Sequence, residues 1–216
     1  MTPKVAILLP CHNSLPYLKD AVESIFNSTK FPLKLILIES ESTDGTAEYC
    51  DSLIGENVEV YHTKKEGLQR AFNFGMEKSE GLDVYLTQDD VIHFKLYGRD
   101  WLEEMHDASK NEKIGMITTL DGGGISGDTF LDGLQWAGTW STYIPRRTII
   151  KIGTFDTNIN SGDDIDYSYR VYLAGLCLAF ADFWVQHHRK TEHGTADDPE
   201  RIIRNGKRFK EKWGLK

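Results

Sequence analysis

The chain has no apolar run approaching the roughly 20 residues needed to cross a bilayer, which excludes a membrane-spanning helix. No signal peptide is expected either, because Met1-Thr2-Pro3-Lys4 leads straight into a short strand-like segment. Cysteine is scarce. Cys11, Cys50 and Cys177 are odd in number and far apart in sequence, with no CxxC pair, so neither zinc nor a redox couple is indicated. A soluble protein of a reducing compartment, the cytoplasm, is the expectation. Positive charge is in deficit too: 25 Lys and Arg face 33 Asp and Glu, for a net charge of −8. That balance argues against gripping a phosphate backbone by counterion release, and no nucleic-acid partner is expected. No internal repeat, low-complexity tract or interdomain linker is visible.

What is present suits one folded domain. Apolar residues make up 40% of 216 residues and charged ones 27%, too hydrophobic a mixture for disorder. The charge is uneven. Residues 201–216 carry seven Lys or Arg and one Glu, leaving the rest of the chain strongly acidic.

Val5–Leu9 is a continuous apolar run ended by Pro10, the pattern of a strand buried on both faces. Asn13 and Ser14 then offer a helix cap, and Leu18, Ala21, Val22, Ile25 and Phe26 recur at helical spacing. Further strands are predicted at Leu35–Ile38, Val58–Tyr61, Asp83–Leu86 and Ile114–Thr118, with helices through Leu53, over Gly67–Lys78 and over Trp101–Ser109. Such alternation implies right-handed crossovers and a mostly parallel sheet. Beyond it the regularity fades. The four glycines of Asp121–Asp128 predict a mobile loop, a further helix is expected near Asp164–Ala174, and an apolar stretch Leu176–Val185 runs to His187-His188.

Ligands of an open parallel sheet sit beyond the carboxyl ends of its strands. Four polar segments fall there: Pro10-Cys11-His12-Asn13, Glu39-Ser40-Glu41 running into Ser42–Thr46, Thr87-Gln88-Asp89-Asp90, and Gly162-Asp163-Asp164-Ile165-Asp166. Ser42–Thr46 is also a natural helix cap, and capping can coexist with ligand contact. Adjacent carboxylates at Asp89 and Asp90 repel one another unless hydrogen-bonded, solvated or bound to a cation. In the last cluster Asp166 stands at helical spacing from Arg170, and Asp164 is left without an obvious local partner.

Taken in order, these segments resemble a family 2 glycosyltransferase, from about Val5 to His188. The resemblance implies the GT-A fold: an α/β, Rossmann-like, mostly parallel central sheet flanked by helices in a single domain. Residues 1–200 would be the catalytic domain, with a nucleotide-sugar-binding half over about 1–98 and an acceptor-binding half over about 99–200, and 201–216 a basic helix or tail. The opening strand and turn match the family's, with His12 in place of the usual aromatic. The base-facing acid falls on Glu39 or Glu41, Glu39 preferred. The helix Gly67–Gly75 brings Arg70 toward the diphosphate or sugar. The family's Asp-x-Asp-Asp signature aligns with Thr87-Gln88-Asp89-Asp90, so its first acid is missing. The resemblance therefore implies nucleotide-sugar contacts from Pro10, His12, Asn13, Glu39, Glu41, Arg70, Gln88 and Asp90, and a divalent metal, Mn ahead of Mg, held by Asp89 and His187, with His188 the alternative to His187. Asp164 would be the general base, with Asp163 its alternate.

The implied reaction is inverting transfer of a sugar, from a UDP-sugar, to the hydroxyl of a glycan, glycoprotein or glycolipid. Under it the glycine loop would close as a lid, and Trp136, Trp140 and Tyr143 are either acceptor-stacking residues or core. The basic C-terminus, with Ile202, Phe209 and Trp213 near helical spacing, is either a peripheral membrane contact or a helix docked on the domain. Two other readings compete. One is a sugar nucleotidyltransferase, whose Gly-rich basic loop is missing at Cys11–Pro16; the other is a non-catalytic carbohydrate-binding or scaffold module on the same fold.

Overall fold

The first strand shows how the sequence builds the core. In the computed structural model, which describes residues 2–159, 162–187 and 199–215, β1 (Val5–Cys11) is buried along its whole length. Successive side chains of a strand point to opposite faces. Val5, Ile7, Leu9 and Cys11 accordingly enter one hydrophobic cluster, and Ala6 and Leu8 enter another. An uninterrupted apolar run is what a strand with helices on both sides requires.

Parallel partners surround it. β2 (Leu33–Ser40) lies on one side of β1 and β4 (Asp83–Thr87) on the other, and β3 (Val58–Thr63) extends the sheet beyond β2. The crossovers are α1 (Leu15–Ser28), α2 (Thr46–Ser52) and α3 (Leu68–Lys78). A short β5 (Val91–Ile92) and α4 (Trp101–Ser109) precede β6 (Ile114–Thr119). The hairpin of β7 (Gly123–Ile125) and β8 (Gln135–Ala137) follows, and then β9 (Ser141–Ile144) runs antiparallel between β4 and β6. After α5 (Arg146–Ile152) and α6 (Asp163–Leu173), β10 (Cys177–Ala181) joins β6 in parallel and β11 (Gln186–His187) pairs with β5. The seven-stranded order is β10-β6-β9-β4-β1-β2-β3, the mostly parallel sheet expected.

One face is covered by α1 and α4, through Leu18, Val22, Ile25, Trp101, Leu102 and Met105. The other is covered by α3, α5 and α6, through Phe72, Met76, Ile149, Tyr167 and Val171. A satellite cluster of Phe130, Leu134, Ile165 and Phe209 seats α7 (Pro199–Trp213), so the basic C-terminus is a helix docked on the domain. Among the described residues no helix is long and apolar enough to cross a membrane.

Two expectations change, and the open choice at Tyr143 is resolved. Asp121–Asp128 contains part of a hairpin rather than a free loop; a Cβ at Gly122 would collide with Thr118 and Ser141, and one at Gly123 with the Trp136 carbonyl. Those glycines permit close packing. Tyr143 is core, its hydroxyl donating to Asp83 (2.6 Å) and accepting from His106 (2.9 Å). The helix α1 is not capped by the side chains of Asn13 or Ser14; Asp44 caps it from the next loop, accepting from Leu15 N at 3.1 Å.

Candidate functional site

Cys11 and Glu39 are register partners at the carboxyl ends of β1 and β2, and β4 ends at Thr87 beside them. The loops leaving these strands are fastened to one another. Asn13, held at a left-handed φ of 47°, donates its N–H to Ser42 Oγ (3.0 Å) and accepts from Thr43 N (2.8 Å). Asp44 caps α1 with one carboxylate oxygen and takes Thr46 N (3.0 Å) and Thr46 Oγ1 (2.6 Å) with the other. The Ser42–Thr46 segment is thus a double helix cap that also joins two strand ends.

Between these ends and the start of α3 lies a pocket of about 210 Å³, lined by Pro10, Cys11, His12, Ser40, Lys65, Gly67, Leu68, Ala71, Gln88 and Asp89. The first turn of α3 opens on it, with no side chain capping Gly67. Four of the expected residues, Pro10, His12, Gln88 and Asp89, therefore meet in one place. His12 N approaches Asp89 Oδ2 at 3.4 Å, and Gln88 Nε2 donates to Thr139 Oγ1 at 3.2 Å.

The others are placed differently. Glu39 is buried behind the pocket, accepting from Ser42 N (2.7 Å) and His62 Nδ1 (2.8 Å). Burial alone would raise its pKa; the hydrogen bonds from His62 and Ser42 outweigh that and hold it below the usual carboxylate value. Glu41 accepts from Lys65 N at 3.1 Å. Arg70 lines a second, larger cleft of about 520 Å³ with Lys64, Phe74, Arg146 and Thr157, which shares only Ala71 with the pocket. Asp90 is buried, and its Oδ1 lies 3.2 Å from His187 Nε2, because β11 pairs His187 with Val91. His187 in turn stacks on Trp140, ring centroids 5.6 Å apart. His188 lies outside the described residues.

At the neighbouring helix terminus, Gly162 at φ 84° opens α6 against the ring of Phe130. Asp163 feels the side chain of Gln69, one residue from pocket-lining Leu68, which opposes the rise in its pKa that burial causes. Asp164 accepts the N–H of Ile165 at 2.8 Å. Burial, followed by repulsion from Asp163, pushes its pKa up to about 7. Asp166 is spent on structure. It is fully buried and takes hydrogen bonds from Arg170 Nε (3.1 Å), Lys212 Nζ (2.8 Å) and Trp213 Nε1 (2.9 Å).

Two features escaped the sequence. Lys65 enters the pocket from the loop before α3; its only signal was a Lys-Lys pair just ahead of a glycine turn. Cys11 and Cys50, 39 residues apart, bring their sulfurs within 3.7 Å as free thiols. Their hydrogen bond and burial raise the Cys11 pKa well above its usual range, which leaves it a packing group rather than a nucleophile.

Among the described residues no three His, Cys, Asp or Glu side chains stand close enough to hold a metal by themselves. An ion at Asp89 would complete its shell with oxygens of a bound diphosphate and water, a donor set that suits Mn and Mg. Thr87, where the family signature has its first acid, is fully buried with no partner for its hydroxyl among the described residues.

Comparison with known proteins agrees with this geometry. The fold is shared with mannosyltransferase PcManGT from Pyrobaculum calidifontis, solved with GDP-Man and Mn2+ (TM-score 0.68, 16% identity, covering 89% of this chain and 59% of that one). It is shared also with residues 1–349 of S. aureus TarS, solved with UDP (TM-score 0.64, 16% identity, 84% and 59%). In sequence, an uncharacterized glycosyltransferase of Rickettsia bellii is 27% identical over 191 residues, 80% of this chain and 27% of the relative. Glycosyltransferase AglE of Haloferax volcanii is 21% identical over 201 residues, 83% and 64%. The chain thus spans about a quarter of the first relative's length and under two thirds of the second's. The model of "Glycosyl transferase family 2" matches residues 6–163, and with its GT-A sheet and the pocket at the strands' carboxyl edge, the chain belongs to glycosyltransferase family 2.

Proposed function

We propose that this domain transfers a sugar from a UDP-sugar to an acceptor hydroxyl on a glycan, glycoprotein or glycolipid, with inversion at the anomeric carbon. The observation that carries the reading is the pocket at the carboxyl ends of β1, β2 and β4, where Asp89 meets His12 and Gln88 at the first turn of α3. The nucleotide lies against Pro10, His12 and Gln88. Asn13, Glu39 and Glu41 act one layer back, fixing the loops that shape the pocket. Asp89 is the pocket residue that would hold a divalent cation, Mn before Mg, while His187, expected beside it, is paired with Asp90. When bound, that cation offsets charge on the departing nucleoside diphosphate.

Asp164 takes the proton of the acceptor hydroxyl as that oxygen bonds to the anomeric carbon and the bond to the diphosphate breaks on the opposite face. A pKa of about 7 leaves the group substantially ionised at neutral pH and still basic enough to accept the proton. Asp163, the adjacent carboxyl, is the alternate. Trp140, held against His187, bounds the acceptor side.

Buried Thr87 favours one competing reading, a non-catalytic module that binds carbohydrate on the same fold. Incubation with a panel of nucleotide sugars and Mn, with and without glycan acceptors, separates the two. Release of UDP from at least one donor supports the enzyme, and Asp164→Asn should then lower transfer by about 100-fold while UDP affinity stays near wild type. Unchanged transfer in Asp164→Asn removes Asp164 from the role; no turnover of any donor favours the module.

A further inference from the structure

We propose that Lys65 is a phosphate-binding residue of the pocket, presented to a nucleoside diphosphate by His12 and Glu41; the inference rests on reading the pocket as a nucleotide-sugar site. The imidazole of His12 lies 2.5 Å through Nδ1 from the carbonyl oxygen of Ser40. A carbonyl only accepts, so Nδ1 carries the ring proton. Nε2 then holds a lone pair, and Lys65 Nζ donates to it at 2.7 Å. The ring thus aims the lysine through a single hydrogen bond. From behind, Glu41 Oε2 accepts the Lys65 backbone N–H at 3.1 Å and fixes the loop. Two residues expected from sequence to touch the nucleotide thus converge on a lysine that was not expected at all.

The charge of the pocket gives this arrangement its purpose. Asp89 is its only carboxylate and Lys65 its only ammonium among the lining residues. A diphosphate placed beside Asp89 meets repulsion, and with Thr87 in place of an acid that repulsion is smaller than two carboxylates would impose. Lys65 offsets the remainder. No carboxylate among the described residues pairs with its ammonium, so the positive charge is available to phosphate oxygens, where charge-assisted hydrogen bonds are strongest. The consequence is a component of nucleotide affinity that needs no divalent metal and weakens with salt.

Isothermal titration calorimetry of UDP and GDP, in EDTA and in Mn, at low and high salt, tests this on the full chain. Wild type should bind UDP or GDP in EDTA, with affinity falling as salt rises. Lys65→Met, an exposed position where folding is not at stake, should weaken that binding about tenfold and flatten its salt dependence, while Lys65→Arg keeps both. Because His12 aims Lys65 as well as lining the pocket, part of the cost of His12→Phe should disappear in the Lys65→Met background. Lys65→Met binding with wild-type affinity and salt slope overturns the assignment and leaves the donor-site reading standing. Wild type binding neither nucleotide, with or without Mn, sinks the donor-site reading itself and the lysine's role with it.

Discussion

Asp164 is where residue chemistry makes the sharpest demand. Burial and the neighbouring Asp163 raise its pKa to about 7, so a base at this position switches on as pH rises through neutrality. The acidic limb of kcat/KM should have its midpoint near 7 and should vanish in whatever activity Asp164→Asn retains. An acidic limb near the ordinary carboxylate value would assign the proton elsewhere. The same shift bears on stability in the opposite sense, since ionising this half-buried carboxyl disfavours the folded state, progressively from the unfolded pKa up to about 7. The Glu39–His62–Asp51 chain behaves differently. His62, hydrogen-bonded at 2.8 Å to Glu39 and 2.9 Å to Asp51, has a raised pKa, caused first by the bond to Glu39 and then by that to Asp51. Its contribution is complete below the unfolded value of about 6.5 and is lost as pH rises through the higher folded value. The lowered pKa of Glu39 contributes above about 4.5 and is lost as pH falls through its folded value. The pair thus stabilises most between those limits. With the His62 side chain 50% exposed, the effect stays below about 1 kcal/mol. Melting temperatures of His62→Gln should differ from wild type near pH 5.5 and converge with it above pH 8; a constant offset across that range counts against the chain.

Elements were legible in the sequence to the extent that their signals are local. The helices α1, α3 and α4 and the strands β1, β2 and β4 announce themselves through apolar spacing that their own residues carry. The strands β5, β8, β9 and β11 do not; each is two to four residues long and exists only because a distant partner offers its edge. The cap of α1 fails the local rule for the same reason, coming from Asp44 29 residues away. Within the site, strand-end acids were readable because parallel sheets put ligands there, whereas Lys65 depends on how a loop closes over His12. The docking of α7 was an open choice in sequence, and the structure supplies its anchor. Lys212 bridges Asp156 and Asp166, each at 2.8 Å, and Phe209 is fully buried beneath. Lys212→Met leaves Asp166 short of one counter-charge in a dry setting and should cost about 1–3 kcal/mol in thermal or urea melts. Adding Asp166→Asn should recover part of that loss, because the stranded charge goes as well. Strict additivity of the two variants would mean that the ion pair contributes nothing.

Across the whole molecule, the sheet divides at β9. The strands β1 to β4 are collected within the first 87 residues, yet the outer edge of β4 waits for β9, about 55 residues later, and Asp83 on that edge holds the Tyr143 hydroxyl (2.6 Å) and Arg146 N (2.7 Å). A bare, buried strand edge templates pairing with other chains. A polypeptide truncated after residue 98 should therefore precipitate on expression even though it contains every residue lining the pocket at the strand ends, and charged substitutions along β4 should rescue its solubility at the expense of the core. A soluble, monomeric 1–98 fragment would show that the front half folds unaided. On the ribosome the same geometry sets a schedule: the first four parallel strands emerge well before their seal, so this protein passes through an interval in which it needs shelter from its own siblings.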